Sequence, residues 1–381
     1  MPFSRRNFLQ GVTCLGATLA LRDAQASGDH LPIVCVEEHV AHQELLQALM
    51  PHLLPSATYL TDWGKDVTDL GGASETRPRV LAAKESGRKL LDMGNGRLAD
   101  MERHAIDMQV VSSTASPQFL PGKTGIRLCA EANDALARVV SKHPTRFAAF
   151  ATLPWQEPKA AVDELKRCTS ELGFRGVILN GRPGSTFLDD RGYLPVLEGI
   201  AAQKVPLFLH PGLPLEDVRS HYYTGFSREV SARLSMFGWG WHNEEGVQIV
   251  RLLLSGIFDA LPNLTIICGH WGEFVPFFLQ RLDDSIPRKA TGLRRTLSET
   301  FKSHFYVTPS GMTSLPHFLF LREMLGMERL LFSVDYPYLS LNGARAWLES
   351  LPVSRQEKEL FAWRNASKLL HLEESIFTQR V

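Results

Sequence analysis

Cysteine is scarce in this chain, five residues in 381, and Cys14, Cys35, Cys129, Cys168 and Cys268 are scattered without the spacing of a zinc knuckle or a redox dithiol. Nothing here builds a disulfide scaffold, and no essential disulfide is expected. Cys35 and Cys268 sit inside apolar runs, where a free thiol behaves as a small hydrophobe. An excess of charge of either sign is also missing: 41 Lys+Arg face 41 Asp+Glu. Neither nucleic acid nor an anionic membrane surface is therefore an expected partner. Internal repeats, low-complexity tracts and a second domain are absent as well. With 44% hydrophobic and 22% charged residues, the chain has enough apolar content for one large core.

The first residues, MPFSRRNFLQGVTCLGATLALRDAQASGD, place a basic pair before an apolar stretch too short to span a bilayer comfortably, then AQA before polar residues. That is the pattern of a signal peptide. Arg5 and Arg6 in SRRNFL resemble the twin-arginine signal, whose pathway exports folded proteins. Residues 1–26 are therefore expected to be removed, leaving 27–381 as one periplasmic domain with no membrane attachment. An amphipathic N-terminal helix of the mature chain is the alternative.

Beyond this segment, strand-like and helix-like patterns alternate to the end, as in a parallel α/β protein. Eight apolar, β-branched runs fall at 32–37, 109–114, 147–153, 175–180, 205–210, 264–269, 304–308 and 329–335. Helical periodicity between them is clearest over 125–144, 158–173 and 244–261. Eight strands with intervening helices predict a closed (β/α)8 TIM barrel. Two stretches are too long for simple connections: 51–96, after the first strand and its helix, and 211–242, after the fifth strand, with Tyr222, Tyr223, Trp239 and Trp241. Long insertions usually serve as lids or oligomer contacts.

Four of the apolar runs end in residues that can bind a metal ion: VCVEEHV with Glu37 and His39, VPLFLHPG with His210, LTIICGHWGE with His270, and LLFSVDYP with Asp335. A barrel gathers such strand ends into one mouth. Glu37 and His39 are two residues apart on a strand and so project to one side, while Glu38 points away as a structural carboxylate. Glu, two His and Asp form a mixed donor set that suits one zinc or manganese ion, with a third histidine left for acid/base work.

These residues resemble the metal-dependent decarboxylase branch of the amidohydrolase superfamily, amidohydrolase-2. The resemblance runs through VEEHV, GFRGVILNG (173–181), LHP (209–211), GHWGEFVPFFLQR (269–281), FSVDYP (332–337) and RNASKLL (364–370). It implies that Glu37, His39, His210 and Asp335 hold one divalent ion, with His270 beside it as a catalytic residue and Asp335 delivering a proton. Glu273, one turn along a helix opened by His270, is expected to contact that histidine or the helix end. By the same resemblance Arg281 crosses a subunit interface to clamp the substrate carboxylate in the neighbouring site, which implies a homodimer or dimer of dimers paired through a helix over 272–283. An ion pair with Asp283 or Asp284 is its other possible role.

The chain also departs from the family pattern. Resorcylate-decarboxylating members carry Asn near position 114, Arg after the HP of the fifth strand and Phe at 338, where this chain has Thr114, Gly212 and Tyr338. Thr114, Tyr338 and the lid-like Trp241 are accordingly expected to meet the substrate, and His242 lies in the same aromatic segment. The binuclear hydrolases need a carboxylated lysine at a strand end, but here the fourth run ends in Asn180 and the fifth in His210. The expected activity is that of a mononuclear carboxy-lyase for a hydroxylated aromatic or unsaturated carboxylic acid. A mononuclear hydrolase of a lactone, ester or amide would use the same ligands, and an exported binding protein would keep only the fold.

Overall fold

In a computed structural model, residues 30–55, 57–64 and 77–378 are described; the expected signal peptide, 1–26, and part of the first long insertion lie outside them. Seven parallel strands run in sequence order: β1 (Val34–Val40), β2 (Met108–Ser113), β3 (Phe147–Thr152), β4 (Gly176–Asn180), β5 (Leu207–His210), β6 (Ile266–Cys268) and β7 (Phe305–Val307). Almost every strand residue is buried, as expected of a parallel sheet covered by helices, whose strands read as continuous apolar runs. One core holds them together, from Ile33 and Val36 through Phe150 and Phe208 to Phe305 and Phe332.

The eighth expected strand, 329–335, is not a regular strand. Its backbone nevertheless reaches both edges of the sheet: Leu331 N donates to Val307 O at 2.9 Å, and Val36 N donates to Phe332 O at 3.0 Å. Isolated parallel bridges join Leu330 to Val307 and Tyr336 to Glu38. The ladder is interrupted because Asp335 takes a left-handed φ of 66°, outside the extended region. The first strand differs as well: it continues to Val40, past the expected end at 37, with an irregularity in its pairing to β2 between Cys35 and Glu38.

The helices follow the periodicity closely, at Gly122–Lys142, Pro158–Ser170 and Gly240–Leu254. Pro158 sits in the first turn, where its missing N–H costs nothing. The helix expected over 272–283 starts instead at Val275 and runs to Ser285, because residues 270–274 all have positive φ, between 48° and 83°. The helix after β1 is Gln43–Leu53, and inside the two long stretches the described residues form further helices, Ala83–Leu90 in the first and Glu216–Tyr222 and Arg228–Ser235 in the second. The cysteines at 35, 129, 168 and 268 are free and buried, and for Cys35 and Cys268 this matches their place inside apolar runs. Among the described residues no helix is long and apolar enough to cross a membrane.

Register aligns the strand ends that matter. Asn180 pairs with His210, and Leu209 with Cys268, so the residues just beyond β4, β5, β6 and β7 share one rim. Gly212 has a steric reason there: a Cβ at this position would lie 2.4 Å from the Cα of Gly181. The loops after β4 and β5 touch backbone to backbone, which leaves no space for a side chain at 212.

Candidate metal centre

One ligand atom from each of Glu37, His39, His210 and Asp335 lies within 4.8 Å of the others, and all four residues are buried. Glu37 and His39 leave the same face of β1, two residues apart, as strand alternation requires. His210 ends β5, and Asp335 stands at the rim on its left-handed backbone, its N–H held at 3.1 Å by Glu37 O.

The hydrogen bonding leaves the inward-facing atoms bare. Glu37 Oε2 accepts from Thr308 Oγ1 at 2.8 Å, from Ser333 Oγ at 3.1 Å and from Ser310 Oγ. Its other oxygen, Oε1, is buried with no hydrogen-bond partner. His210 Nδ1 donates to Pro211 O at 2.9 Å, and since a carbonyl only accepts, Nε2 is left with its lone pair, 3.9 Å from Glu37 Oε1. Asp335 Oδ1 and both nitrogens of His39 lack hydrogen-bond partners too, with Nε2 of His39 3.1 Å from Asp335 Oδ1. Buried polar atoms are rarely orphaned, and orphans that converge from Glu37, His39 and Asp335, with His210 Nε2 facing them, mark a cation site. The donor set fits one divalent cation, and zinc or manganese is consistent with it. Gly269 keeps the approach open, since a Cβ there would come within 2.7 Å of Glu37 Oε1.

Beneath these atoms lies a second layer. Glu38 turns away from the ligands, as strand alternation predicts, and accepts from Val334 N at 3.0 Å and Tyr336 N at 3.1 Å, the amides flanking Asp335. Buried Arg97 donates to His39 O at 2.6 Å and to Gln109 Oε1 at 3.0 Å. Burial pushes the carboxyls of Glu37 and, more strongly, Glu38 above the usual range, because no cation in the chain fully offsets their desolvation. Burial also drives His210 well below an ordinary histidine, helped by the neighbouring His39 and His270. A neutral imidazole is the form that binds metal.

His270 stands next to the set, its Nε2 4.0 Å from Asp335 Oδ2 and its Nδ1 2.7 Å from Glu273 Oε1. Burial alone would lower it, but Glu273, Glu37 and Asp335 outweigh that and raise it to about 9. Burial likewise opposes the ionised form of Glu273, yet His270 and His242 hold its carboxyl below the ordinary value. The contact between His270 and Glu273 was expected, although on a regular helix; the two residues belong to a left-handed turn, which closes the same three-residue separation with opposite backbone sign.

Thr114 and Tyr338, both expected to meet the substrate, are joined by a hydrogen bond between their hydroxyls, and the Tyr338 ring lies 5.5 Å from that of His39. Burial raises the Tyr338 phenol to about 12, so it stays a donor. Trp241 is not brought to the site by any ring or hydrogen-bond contact; its ring packs on Phe237 against a satellite cluster with Tyr59 and Met236. Arg281 is exposed on the Val275–Ser285 helix, and among the described residues no ion pair joins it to Asp283 or Asp284. Asp283 binds Ser298 instead, with a bond of 3.1 Å to its backbone N–H. Sequence reasoning missed the hydroxyl trio, Arg97 and the role of His242. Thr308 and Ser333 do lie at or near the ends of expected strands, which was a usable signal.

Together the parallel α/β architecture and this site define a class: an enzyme with a mixed imidazole and carboxylate centre at the C-terminal ends of its strands. Residues 77–372 match the amidohydrolase family, and the chain belongs to it. It is 32% identical to the gamma-resorcylate decarboxylase of a Polaromonas species, over 89% of this chain and 98% of that protein. Among solved structures, the 5-carboxyvanillate decarboxylase of Sphingomonas paucimobilis superposes with a TM-score of 0.79 at 29% identity, covering 90% of this chain and 100% of that one. A dihydroxybenzoic acid decarboxylase from Polaromonas, solved with bound manganese and the inhibitor 2-nitroresorcinol, gives 0.76 at 31% identity, over 90% and 98%.

The geometry separates ligands from neighbours in a measurable way. His210→Ala and Asp335→Asn should lose bound metal, measured by elemental analysis of the folded protein, and lose turnover with it. His270→Asn should keep its metal while the rate falls by roughly a hundredfold, the scale of an acid/base contribution. Loss of metal from His270→Asn would move that residue into the ligand set.

Proposed function

We propose that this protein is a metal-dependent, non-oxidative decarboxylase of a hydroxylated aromatic acid. The observation that carries the reading is the convergence of ligand atoms from Glu37, His39, His210 and Asp335, three of them buried without a hydrogen-bond partner, beside a histidine held by Glu273. Bound at Glu37, His39, His210 and Asp335, a divalent ion supplies Lewis-acid and templating chemistry for a carboxylate and a neighbouring hydroxyl oxygen. The chain's own residues do the rest. His270, protonated and held by Glu273, orients the substrate and balances its negative charge. Thr114 and Tyr338 offer hydroxyl groups to the ring substituents, in place of the amide and apolar ring expected in resorcylate-type relatives. Asp335 delivers a proton to the ring carbon that bears the carboxylate; the C–C bond then breaks, its electrons restore the ring, and carbon dioxide leaves.

The sheet is read as a (β/α)8 barrel with 330–336 as its eighth stave and long insertions after the first and fifth strands. Support comes from the backbone hydrogen bonds that tie this segment to β7 on one side and β1 on the other. Residues 27–381 are read as one such domain, exported to the periplasm after a twin-arginine signal at 1–26. Arg5→Lys with Arg6→Lys should leave an active enzyme in the cytoplasm. Fractionation that finds this double variant efficiently exported would point to the general secretory route.

A homodimer, alone or within a dimer of dimers, is supported by an apolar face. Phe277 is 74% exposed and Phe278 52% exposed, and the exposed Met312 lines the same cavity. Monomers seldom leave such a patch to water. Arg281 lies on the same helix, where a guanidinium can reach across an interface and bind a carboxylate through two parallel hydrogen bonds. Mixing inactive His270→Asn with inactive Arg281→Ala subunits should restore activity, because one site of each heterodimer holds both groups. Subunit exchange without recovery would return Arg281 to the surface of its own chain.

The reaction itself is tested by screening the metal-loaded protein against phenolic acids, lactones and esters. Carbon dioxide release from a phenolic acid, with the corresponding phenol as product, is expected. Ring opening or ester cleavage without carbon dioxide would establish a hydrolase instead.

A further inference from the structure

Glu273 is a buried carboxylate, 1% exposed, and an imidazole holds each of its oxygens. Oε1 faces His270 Nδ1 at 2.7 Å, and Oε2 faces His242 Nδ1 at 2.9 Å. The two rings approach to 4.3 Å. At its other end His242 Nε2 lies 3.0 Å from Phe237 O. A carbonyl can only accept, so Nε2 carries a proton, and the contact at Nδ1 needs another between ring and carboxylate. His242 is thereby fixed at both nitrogens.

The turn that bears His270 and Glu273 needs such fixing. Its five consecutive residues with positive φ are a backbone that L-residues adopt at a cost. Ser310 Oγ accepts from His270 N at 2.7 Å, and Met312 O accepts from Trp271 Nε1 at 2.9 Å, which tie the turn to the loop after β7. Towards the Gly240–Leu254 helix the contact is direct: a Cβ on Gly246 would lie 2.9 Å from Glu273 O. Also on that helix, Glu245 is buried and bonded to Gln248, a second carboxyl facing Glu273 that burial pushes well above the usual range.

The geometry points to His242 as a positioning residue. It clamps the outer oxygen of Glu273, so that the inner oxygen holds His270 with Nε2 turned towards the four ligand atoms. With one oxygen released, the carboxylate can rotate, and the His270 ring is then free to follow. Partners of this kind, one step removed from the reacting groups, typically carry tenfold to a hundredfold in activity.

Only the kinetic part of the test rests on the decarboxylase reading. His242→Leu keeps much of the volume and removes both hydrogen bonds, whereas His242→Asn can place an amide N–H near the position of Nδ1. In metal-loaded protein, His242→Leu should lower kcat roughly tenfold to a hundredfold, with KM and bound metal close to wild type. His242→Asn should recover most of that loss. The low-field proton resonance of the His270 Nδ1–H, assigned by its disappearance in His270→Asn, should be lost or shifted in His242→Leu and retained in His242→Asn. Equal kcat in wild type and His242→Leu, or equal losses in both variants with the resonance unmoved, would overturn the proposal. If no phenolic acid is decarboxylated but the resonance follows this pattern, the substrate reading fails and the positioning role stands. If His242→Leu does not fold, a His242→Asn protein that folds but has lost the resonance overturns it.

Discussion

Burial of the Glu37 carboxylate is the constraint on which the rest of the mouth depends. A carboxylate taken from water into a protein interior loses several kcal/mol of solvation even after relaxation, and Glu37 is 1% exposed with no Lys or Arg bonded to it among the described residues. Three hydroxyls from two segments, Thr308 and Ser310 after β7 and Ser333 before the rim aspartate, satisfy one oxygen. Neutral hydroxyls orient an anion but cannot neutralise it. The second oxygen, together with Asp335 Oδ1 and two imidazole nitrogens, therefore defines a hole in the charge distribution that a divalent cation fits. The same hydroxyls also aim Oε1: with Oε2 engaged, the carboxylate cannot turn its bare oxygen away.

Strain collects around this point and is held by hydrogen bonds from less strained elements. Asp335 and residues 270–274 sit in the left-handed region, where non-glycine residues are uncommon. Each is braced from beneath or beside. Glu38 binds the amides on both sides of Asp335, so the residue that faces away from the centre holds the ligand that faces into it. Arg97 supports the carbonyl of His39 and, through Gln109, reaches the edge of the Glu38 carboxylate. The ligands are thus fixed by a buried polar layer one residue out of phase with them on β1, a consequence of period-two alternation.

Much of this was legible in the chain. The gathering of Glu37, His39, His210, His270 and Asp335 at one mouth, the pairing of Glu37 with His39 and the outward turn of Glu38 follow from strand alternation and from the rule that parallel strands point their C-terminal ends at one mouth, while the choice of four ligands among them came from the family resemblance. Comparison with a family pattern singled out Thr114 and Tyr338, but not the hydrogen bond between them. What could not be read were features set by backbone sign and by long-range contact. No local signal in HWGEF announces a left-handed turn, because only Gly272 in it favours that region, so a helix opening at His270 was the natural expectation. The meeting of His242 with Glu273 joins residues 31 apart across two elements. Trp241 shows the opposite error. Adjacent positions on a helix point about 100° apart, so His242 turning to the centre carries Trp241 towards the satellite cluster.

The division between strand-borne and loop-borne groups explains how family and substrate can diverge. Glu37, His39 and His210 lie on strands whose positions are set by the core, and a change in any of them would disturb both packing and charge. Thr114, the segment after His210 and Tyr338 lie just beyond strand ends or the rim aspartate, where backbone is held by fewer neighbours and side chains can change without moving the ligands. Gly212 makes the point in steric terms: the close approach of Gly181 removes the space for a side chain, so any polar contact on that side of the mouth has to come from elsewhere. The hydroxyl pair of Thr114 and Tyr338, bonded to each other beside His39, is a polar surface that the same metal-binding frame presents in this chain. Chemistry at the centre and selectivity around it are therefore carried by different parts of the fold, and they can be altered separately.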